Sequence, residues 1–401
     1  MRSPLLIYRS RRIIRDGAVR VLLGAALVVA FVDVAAPTGA APVFNPASVA
    51  QAIAMDEDGL NIFTINGAQY GVYTPVHVLT FNDAQYSVKI GLANHAIDGG
   101  EQTVGAMCQD TADCVAAVNG DFFDVSGSGH LDPGDEVGGI IRNCVLLHTP
   151  EIAHEQVNVN AGSVSNGLNW ESNVDVNGTT VPITAINQEL PMSYVNVNVP
   201  LAGNLLYTSL YDLPTPTAPG RVAYEFTQVG IPTSPTTINT TAELQLVAKT
   251  SKALKVPAGR VVISAPMGAA LATLQVGDTV TLTTTSTAGC NNIGGHPILF
   301  DNGVVGPINR ADTYMALPSA RTVIGWTSSG ETVIMTVGGV DAKSGATMYQ
   351  LVTMLLSLGV TTALDLDGGG STTLYANGHV VYPTARTERA VSTSLLVVRS
   401  P

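Results

Sequence analysis

The sequence predicts an α+β protein of α/β-like character: a mixed β-sheet whose βαβ unit carries the functional site, plus an all-β insertion lobe. The first observation is a β-rich segment, an amphipathic helical stretch and an apolar strand that follow one another between residues 332 and 366. Strand, helix, strand is the order of a βαβ unit. The second is a series of short alternating runs rich in Thr, Val and Asn between residues 152 and 285, which is typical of an all-β lobe.

The first 40 residues are predicted to be a signal peptide. Six arginines precede the apolar run from Val21 to Val32, and Thr38-Gly39-Ala40 forms a small-residue cleavage site. A membrane span needs about 20 apolar residues, so this run is too short to be a stable anchor. Ser10-Arg11-Arg12 leaves a twin-arginine export route open. The sequence therefore predicts a protein secreted to the cell envelope or beyond.

The charge balance limits the classes of partner. The formal net charge is −12, and removal of six arginines and two aspartates with residues 1–40 makes it −16. An acidic surface repels phosphate backbones and anionic membranes, so we expect no nucleic acid partner and no membrane binding.

The remaining length of about 360 residues is too long for one simple core. We therefore predict that residues 41–151 and 286–401 form the two parts of the main domain. Residues 152–285 form the insertion lobe, which frames a cleft or serves a purely structural role.

Four cysteines, at positions 108, 114, 144 and 290, all follow the predicted cleavage site. In an exported chain an even number indicates disulfides, with three possible connectivities. The short separation of Cys108 and Cys114 suits a local bridge, which would leave Cys144 to pair with Cys290. Zinc ligation is the alternative, but no CxxC pair or paired histidines accompany these residues.

The stretch Leu364-Asp365-Leu366-Asp367-Gly368-Gly369-Gly370-Ser371 is the strongest candidate site. It follows a predicted helix over residues 344–359, whose apolar positions recur at helical spacing and which Gly359 closes. Asp365 and Asp367 are two apart and would project from the same side of a strand. Three glycines permit positive φ, and their N–H groups could form a nest for an anion. A tight Gly-rich hairpin with two solvated aspartates is the alternative.

A second polar strand end lies at Ala117-Val118-Asn119-Gly120-Asp121-Phe122-Phe123. Asn119 and Asp121 could offer an amide and a carboxylate to a ligand, with the aromatic residues as an apolar wall. An Asx turn followed by core aromatic residues is the alternative.

The Gly- and Asp-rich residues 125–137 that follow are predicted to be a loop near the site. Asp132, Asp135 and Glu136 are oxygen donors that could hold calcium, but their spacing matches no EF-hand, so a solvated loop is favoured. His130 could join catalysis.

Further candidates lie near the carboxyl-terminal strands. Arg321 leads the predicted strand from Thr322 to Trp326, where it could grip phosphate or form a structural ion pair with an aspartate. Glu388 and Arg389 precede the closing strand. Asn377-Gly378 predicts a two-residue hairpin turn.

These motifs resemble the phosphodiester glycosidase family in order and spacing over about residues 60 to 400. The resemblance rests on Arg321-Thr322-Val323-Ile324-Gly325, the helix, Leu364-Asp365-Leu366-Asp367-Gly368-Gly369-Gly370-Ser371-Thr372-Thr373-Leu374, and Thr387-Glu388-Arg389-Ala390-Val391. Three shorter stretches agree: Asn119 to Phe123, Gly277-Asp278-Thr279-Val280, and Gly294-Gly295-His296-Pro297-Ile298-Leu299. The family usually has glycine where this chain has Asp121, so that side chain would narrow the site or act as a ligand.

The resemblance implies a hydrolase of glycosyl phosphodiesters, in which a carboxylate acts at the sugar and phosphate leaves. We expect Asp365, Asp367 and Glu388 to be catalytic. The predicted substrate contacts are Asn119, Asp121, Arg321, Thr322, Gly368, Gly369, Gly370, Ser371 and Arg389. No cofactor is required by this reading. One alternative is a metal-dependent phosphodiesterase with Asp365, Asp367 and Asp121 around a divalent cation. The other is a non-catalytic exopolysaccharide-binding protein.

Overall fold

The computed structural model describes residues 49–55, 59–125, 133–151, 154–188, 203–215, 219–230, 234–339, 344–383 and 387–400. The predicted signal peptide, together with His130 and Asp132, lies outside these ranges. Residues Ala41–Pro401 form one compact unit, so the predicted domain boundaries at 151/152 and 285/286 stay predictions.

Strands dominate the structure. In chain order the first ten are β1 Val49–Met55, β2 Asn61–Ile65, β3 Val76–Phe81, β4 Tyr86–Leu92, β5 Gln102–Thr103, β6 Cys114–Asn119, β7 Ile140–Arg142, β8 Val145–His148, β9 Glu155–Asn158 and β10 Ser163–Ser165. The next seven are β11 Trp170–Val176, β12 Thr179–Ile186, β13 Asn204–Thr208, β14 Arg221–Gln228, β15 Thr240–Thr250, β16 Arg260–Pro266 and β17 Thr279–Ser286.

The carboxyl-terminal third adds ten more strands: β18 Asn292–Gly295, β19 Ile298–Asp301, β20 Val304–Val305, β21 Arg321–Thr327, β22 Thr332–Val337, β23 Val360–Asp365, β24 Thr373–Ala376, β25 His379–Pro383, β26 Ala390–Val391 and β27 Thr393–Arg399. Three α-helices occur in the described residues: α1 Val104–Gln109, α2 Thr313–Ala316 and α3 Met348–Ser357.

The predicted α+β class is wrong, because 48% of the described residues lie in strands and 11% in helices. The predicted order of strand, helix, strand is present as β22, α3 and β23, but these strands are not neighbours. The eight-stranded sheet has the order β1-β2-β3-β22-β21-β23-β19-β20, and every pair in it is antiparallel. The earlier strand β21 forms a hairpin with β22 and then separates it from β23. The prediction failed because β23 pairs with β21, the more distant strand in the chain, and not with β22.

Helix α3 ends close to Gly359 as predicted, but it begins at Met348, four residues after the predicted start at Ser344. Thr347 and Gln350 form a capping box at its start, and Gly359 follows its end with a left-handed φ of 75°. Met348, Leu351, Val352 and Leu355 pack into the core, as the apolar stripe predicts, whereas Leu356 is 45% exposed.

Strands β11 to β17 close into a seven-stranded barrel with the order β11-β12-β13-β16-β14-β15-β17. Its alternating apolar residues, among them Val174, Leu244 and Leu282, point into a separate core. The preceding strands β9 and β10 belong instead to a five-stranded sheet with β18, β7 and β8. The barrel therefore begins at Trp170, some residues after the composition change at 152.

A second five-stranded sheet, β25-β24-β6-β27-β4, places β6 beside the carboxyl-terminal strand β27. The turn Asn377-Gly378 joins β24 to β25 with both φ values positive, which confirms the predicted hairpin. Two disulfides join Cys108 to Cys114 and Cys144 to Cys290. Such bonds are typical of proteins that fold outside the cytoplasm. Within the described ranges, every helix is too short or too polar to cross a bilayer.

Candidate active site

The Gly-rich turn after β23 connects the eight-stranded sheet to the sheet that contains β6. Asp365 is the last residue of β23, and β24 begins at Thr373 in the other sheet. The Asp367 amide donates a hydrogen bond to the Gly120 carbonyl (3.1 Å), just beyond the end of β6. The two predicted strand ends, distant in sequence, are thus adjacent in the fold.

Asn119 fixes this junction. Its Nδ2 donates to the Asp367 carbonyl (2.6 Å), and its Oδ1 accepts hydrogen bonds from the Thr322 hydroxyl (2.8 Å) and the Thr373 amide (3.2 Å). Asn119 is 1% exposed, and Thr322 is also buried. Both predicted substrate contacts therefore hold three strands and the turn together from inside the protein.

The three glycines allow the turn to pass close to β21. A side chain at Gly368 would place its Cβ 2.6 Å from the Ala320 carbonyl oxygen, and Gly369 has a φ of 56° and donates its amide to the same oxygen (2.9 Å). The Gly368 amide bonds to the Asp367 carboxylate. Two of the three amides in the predicted anion nest are thus used within the protein, while Gly370 lies against Arg389.

Asp365 is completely buried in a polar network. Its Oδ2 accepts a hydrogen bond from the Tyr314 hydroxyl (2.9 Å) and lies 3.7 Å from Nη1 of Arg321. Among the described residues, its Oδ1 has no hydrogen-bond partner. Burial raises the pKa of Asp365 to about 7, although Arg321 and Tyr314 oppose this shift. Asp365 therefore keeps its proton to near neutral pH.

Arg321 is 1% exposed, and its guanidinium lies beside the Asp365 carboxyl group. Its guanidinium also donates to the carbonyls of Tyr314 (2.6 Å), Leu317 (3.2 Å) and Ala346 (3.2 Å), and it stacks on the Tyr314 ring at 4.5 Å. Of the two roles open from the sequence, the contacts are those of a structural partner of Asp365, with which Arg321 forms an ion pair once that carboxyl group loses its proton.

Asp367 lies in the turn, two residues after the end of β23, and is partly exposed. Burial raises its pKa to about 6, and the hydrogen bonds from the Ser371 side chain and the Gly368 amide limit the shift. The charge of Asp121 raises this pKa further, and that of Arg389 lowers it. Arg389 is exposed, and its Nη1 donates to the Ser371 hydroxyl (3.4 Å). Asp367 and Arg389 thus form the more exposed part of the cluster, and the buried Ser371 side chain hydrogen-bonds to both.

Asp121 is paired with a histidine that the sequence did not single out. Its Oδ1 accepts hydrogen bonds from Nε2 of His154 (3.0 Å) and from the Phe122 amide (2.7 Å). Its buried Oδ2 has no hydrogen-bond partner in the described part of the chain. Burial lowers the pKa of His154, but Asp121 outweighs this effect and raises it. A Cβ at Gly138 or Gly294 would overlap Oδ2 of Asp121, so these two glycines create the space for its side chain.

Two further acids are buried beside this pair. Glu136 accepts a hydrogen bond from Ser392, and burial together with the charge of Asp121 raises its pKa well above the usual value. Asp135 lies 3.5 Å from Nε2 of His148, whose Nδ1 contacts the Gly138 carbonyl (2.8 Å). Both acids are at most 2% exposed, so the solvated loop predicted for them is wrong.

Aromatic rings form one wall. Phe122, partly exposed, makes edge contacts with His154 and Tyr314, while Phe123 packs into the core. His296 lies 5.9 Å from the Tyr314 ring, and its Nδ1 contacts Glu155 (2.9 Å). Burial opposes ionisation of Glu155, but this contact outweighs burial and lowers its pKa.

Glu388 has a structural contact in the described residues, and its predicted catalytic role stays a prediction. Its carboxylate accepts a hydrogen bond from the Gly105 amide (2.9 Å) in the first turn of α1. The structure therefore brings Asp365, Asp367 and Asp121 together but uses Glu388 as a helix cap.

The residues His154 and Tyr314 were missed because each is isolated in the sequence. Glu136 was noticed only as an oxygen donor. Gly138 and Gly294 were the sequence signal for this pocket, because a glycine often marks a position where another group packs against the backbone. The sequence alone does not say that this group is the Asp121 side chain. In the described part of the chain, no group of three or more His, Cys, Asp or Glu side chains is arranged to hold a metal ion.

Comparisons with known proteins bear on the segment that contains the turn. The model of the phosphodiester glycosidase family matches residues 235–398. The N-acetylglucosamine-1-phosphodiester alpha-N-acetylglucosaminidase of Bos taurus is 35% identical over 79 residues, which are 20% of this chain and 14% of that protein. The Homo sapiens protein of the same name is 38% identical over 66 residues, 16% of this chain and 13% of that protein. The matches thus cover about a seventh of these relatives.

Solved structures extend the likeness in fold. A crystal structure of a hypothetical protein from Synechocystis has a TM-score of 0.64 at 19% identity and covers 85% of this chain and 62% of that chain. A crystal structure from Burkholderia pseudomallei K96243 has a TM-score of 0.59 at 19% identity, with coverage of 81% and 74%. The family match includes the Gly-rich turn and confirms the predicted resemblance to the phosphodiester glycosidase family over residues 235–398.

Proposed function

We propose that this protein is a hydrolase that cleaves the glycosidic bond of a sugar 1-phosphodiester. The observation that carries the proposal is the partly exposed Asp367, which interacts with the Arg389 cation within the segment that matches the family. A carboxylate and a nearby cation are the two groups this reaction needs, one at the anomeric carbon and one at the phosphate.

Asp367 acts as nucleophile or base toward the anomeric carbon. A pKa of about 6 leaves it mostly ionised at neutral pH, and Ser371 and the Gly368 amide orient it. Asp365 supports the turn from the protein interior, because its carboxyl group is completely buried against Tyr314 and Arg321.

Arg389 binds the phosphate. It is the exposed guanidinium next to Ser371 and Gly370, whereas a phosphate could reach Arg321 only by displacing its carbonyl partners. This role replaces the one predicted for Arg321. A phosphomonoester is a weakly basic leaving group, so Arg389 stabilises its charge without transferring a proton.

Asp121 and His154 form a second polar pair at the site. Asp121 holds the imidazole and favours its protonated form, so His154 adds positive charge near the leaving phosphate. Asp121 is thus a positioning residue, and Phe122 and Tyr314 provide an apolar wall for the sugar ring.

In the proposed reaction the bond between the anomeric carbon and its phosphate oxygen breaks. The oxygen of water forms the new bond to the anomeric carbon, one water proton is released through Asp367, and a phosphomonoester leaves. Because the names of the two curated relatives specify N-acetylglucosamine, a phosphodiester of that sugar is the first substrate to test. We place the reaction outside the cytoplasm, on cell-envelope or extracellular glycans.

Hydrolysis in oxygen-18 water tests the assignment. We expect label in the free sugar and none in the phosphomonoester, provided that samples are taken before the anomeric oxygen exchanges. Label in the phosphomonoester would contradict the glycosidase assignment and favour a phosphodiesterase. Glycan binding without turnover would favour the non-catalytic alternative.

A further inference from the structure

A cavity of about 200 Å³ lies at the free edge of β4, and none of its lining residues belongs to the site described above. Strand β4 is the last strand of its sheet, so one side of its backbone is not paired with another strand. Residues of α1 and the loop after it line one wall, and the turn that joins β7 to β8 lines the other.

The charge of this cavity is opposite to that of the protein. Lys89, His95 and Arg142 line it, whereas no aspartate or glutamate does, in a chain with a formal net charge of −12. Among the described residues, none of these three side chains forms an ion pair. Three basic groups that converge without a carboxylate create a local positive potential.

Arg142 gives an independent indication of an anion. It is partly buried, and burial lowers its pKa without any nearby acid to oppose the shift. Its Nη1 makes only a long hydrogen bond, 3.5 Å, to the Ile90 carbonyl on the β4 edge. Among the described residues no carboxylate pairs with this half-buried guanidinium, so it is free to pair with a bound anion.

The wall that carries Arg142 is held in place before any ligand binds. The two-residue turn Asn143-Cys144 has two positive φ values, and Cys144 is bonded to Cys290. The Asn143 amide donates to Oδ1 of Asn291 (2.9 Å), which also lines the cavity. Preorganisation of this kind reduces the entropy lost on binding.

We propose that this cavity binds a small phosphate-bearing anion. Two guanidinium or ammonium groups and a histidine suit a dianion better than a single carboxylate, because Arg and Lys both bind phosphate readily. The buried side chains of Met107 and Leu396 provide an apolar floor that could contact an organic part of the ligand. Binding at this cavity is independent of glycosidase activity, because none of the lining residues belongs to the candidate active site.

Isothermal titration of the full-length secreted protein with inorganic phosphate and, separately, glucose 6-phosphate tests the site. The Arg389→Gln variant serves as the starting protein, so that phosphate binding at the catalytic cluster does not contribute. We expect saturable binding of at least one probe. Tighter binding of inorganic phosphate would identify the free ion as the ligand type, and tighter binding of glucose 6-phosphate an organic phosphate.

Lys89→Glu should weaken this binding at least about tenfold, the effect of losing one charge-assisted contact. His95→Asn removes a second basic group and keeps a residue type that tolerates its positive φ of 62°. Lys252→Glu, at an exposed lysine elsewhere, makes the same charge change and should leave binding unchanged. Circular dichroism checks that each variant folds. Absence of saturable binding for both probes, or equal weakening by Lys89→Glu and Lys252→Glu, would overturn the proposal.

Discussion

The end of β23 and the turn that follows it place two aspartates, separated by one leucine, in opposite surroundings. Asp365 is sealed among Tyr314 and Arg321, and its pKa is raised to about 7. Asp367 is partly exposed, accepts hydrogen bonds from the Ser371 side chain and the Gly368 amide, and has a pKa of about 6. The strand alternation that predicted one shared side applies only as far as Asp365, where β23 ends. We therefore expect two aspartates that are close in sequence to have different roles, structural support for Asp365 and catalysis for Asp367.

The sharpest test of this contrast is Asp367→Asn. We expect turnover of an N-acetylglucosamine 1-phosphodiester to fall by at least about a hundredfold, because a catalytic carboxylate usually contributes that much. The melting temperature should change little, since Asp367 is partly exposed. Asp301→Asn, at an exposed aspartate, is the matched control and should keep full activity. A fully active Asp367→Asn enzyme would show that the reacting carboxylate lies elsewhere.

Leu366→Ala tests the residue between the two aspartates. Leu366 is completely buried, so its truncation should lower the free energy of unfolding by about 2 to 5 kcal/mol. Denaturant unfolding followed by fluorescence measures this change. A variant as stable as the wild type would mean that the turn is not anchored by this side chain.

Asp365 should give the folded protein a distinctive pH dependence. Its pKa is about 7 when folded and near 3.8 otherwise, so the native state keeps a proton that the unfolded state loses. Its contribution therefore makes stability fall as pH rises from about 4 to 7, by up to about 1.4 kcal/mol per pH unit. Asp365→Asn should flatten urea-derived stability across this window, and Asp301→Asn should not. An unchanged slope in Asp365→Asn would argue against burial of an ionisable carboxyl group there.

The pH profile of kcat/KM should report Asp367. If the ionised carboxylate reacts, activity rises with pH through an apparent pKa of about 6. Arg389→Gln removes a charge that lowers this pKa, so the midpoint should move to higher pH as activity falls. Arg310→Gln, at a cation stacked on Tyr349, is the control. A profile whose midpoint does not respond to Arg389→Gln would separate the titrating group from Asp367.

The smallest expected effect is that of Glu388→Gln. Loss of a charged cap on the Gly105 amide should lower stability by about 1 kcal/mol, with less than a tenfold effect on turnover. Thermal unfolding and steady-state kinetics on one preparation measure both quantities. A loss of activity as large as that of Asp367→Asn would restore Glu388 as a catalytic carboxylate.

Local features of this protein were predictable from sequence because they depend on neighbouring residues. Helix α3 and its Gly359 end, the Asn377-Gly378 hairpin, the Cys108–Cys114 bridge and the Asp367-to-Ser371 turn all follow from spacing and backbone preference. The family resemblance followed from the same stretches. None of these features required knowledge of which strands pair.

Tertiary structure decided the rest. Strand β21 lies between β22 and β23, and strands β11 to β17 close into a barrel. Both arrangements depend on pairing between strands that are far apart in the chain. The same long-range contacts brought His154 to Asp121, buried Arg321 against Asp365, and moved Glu388 to a helix end. The sequence determined which groups could do chemistry, and burial in the folded protein determined which of them solvent and substrate can reach.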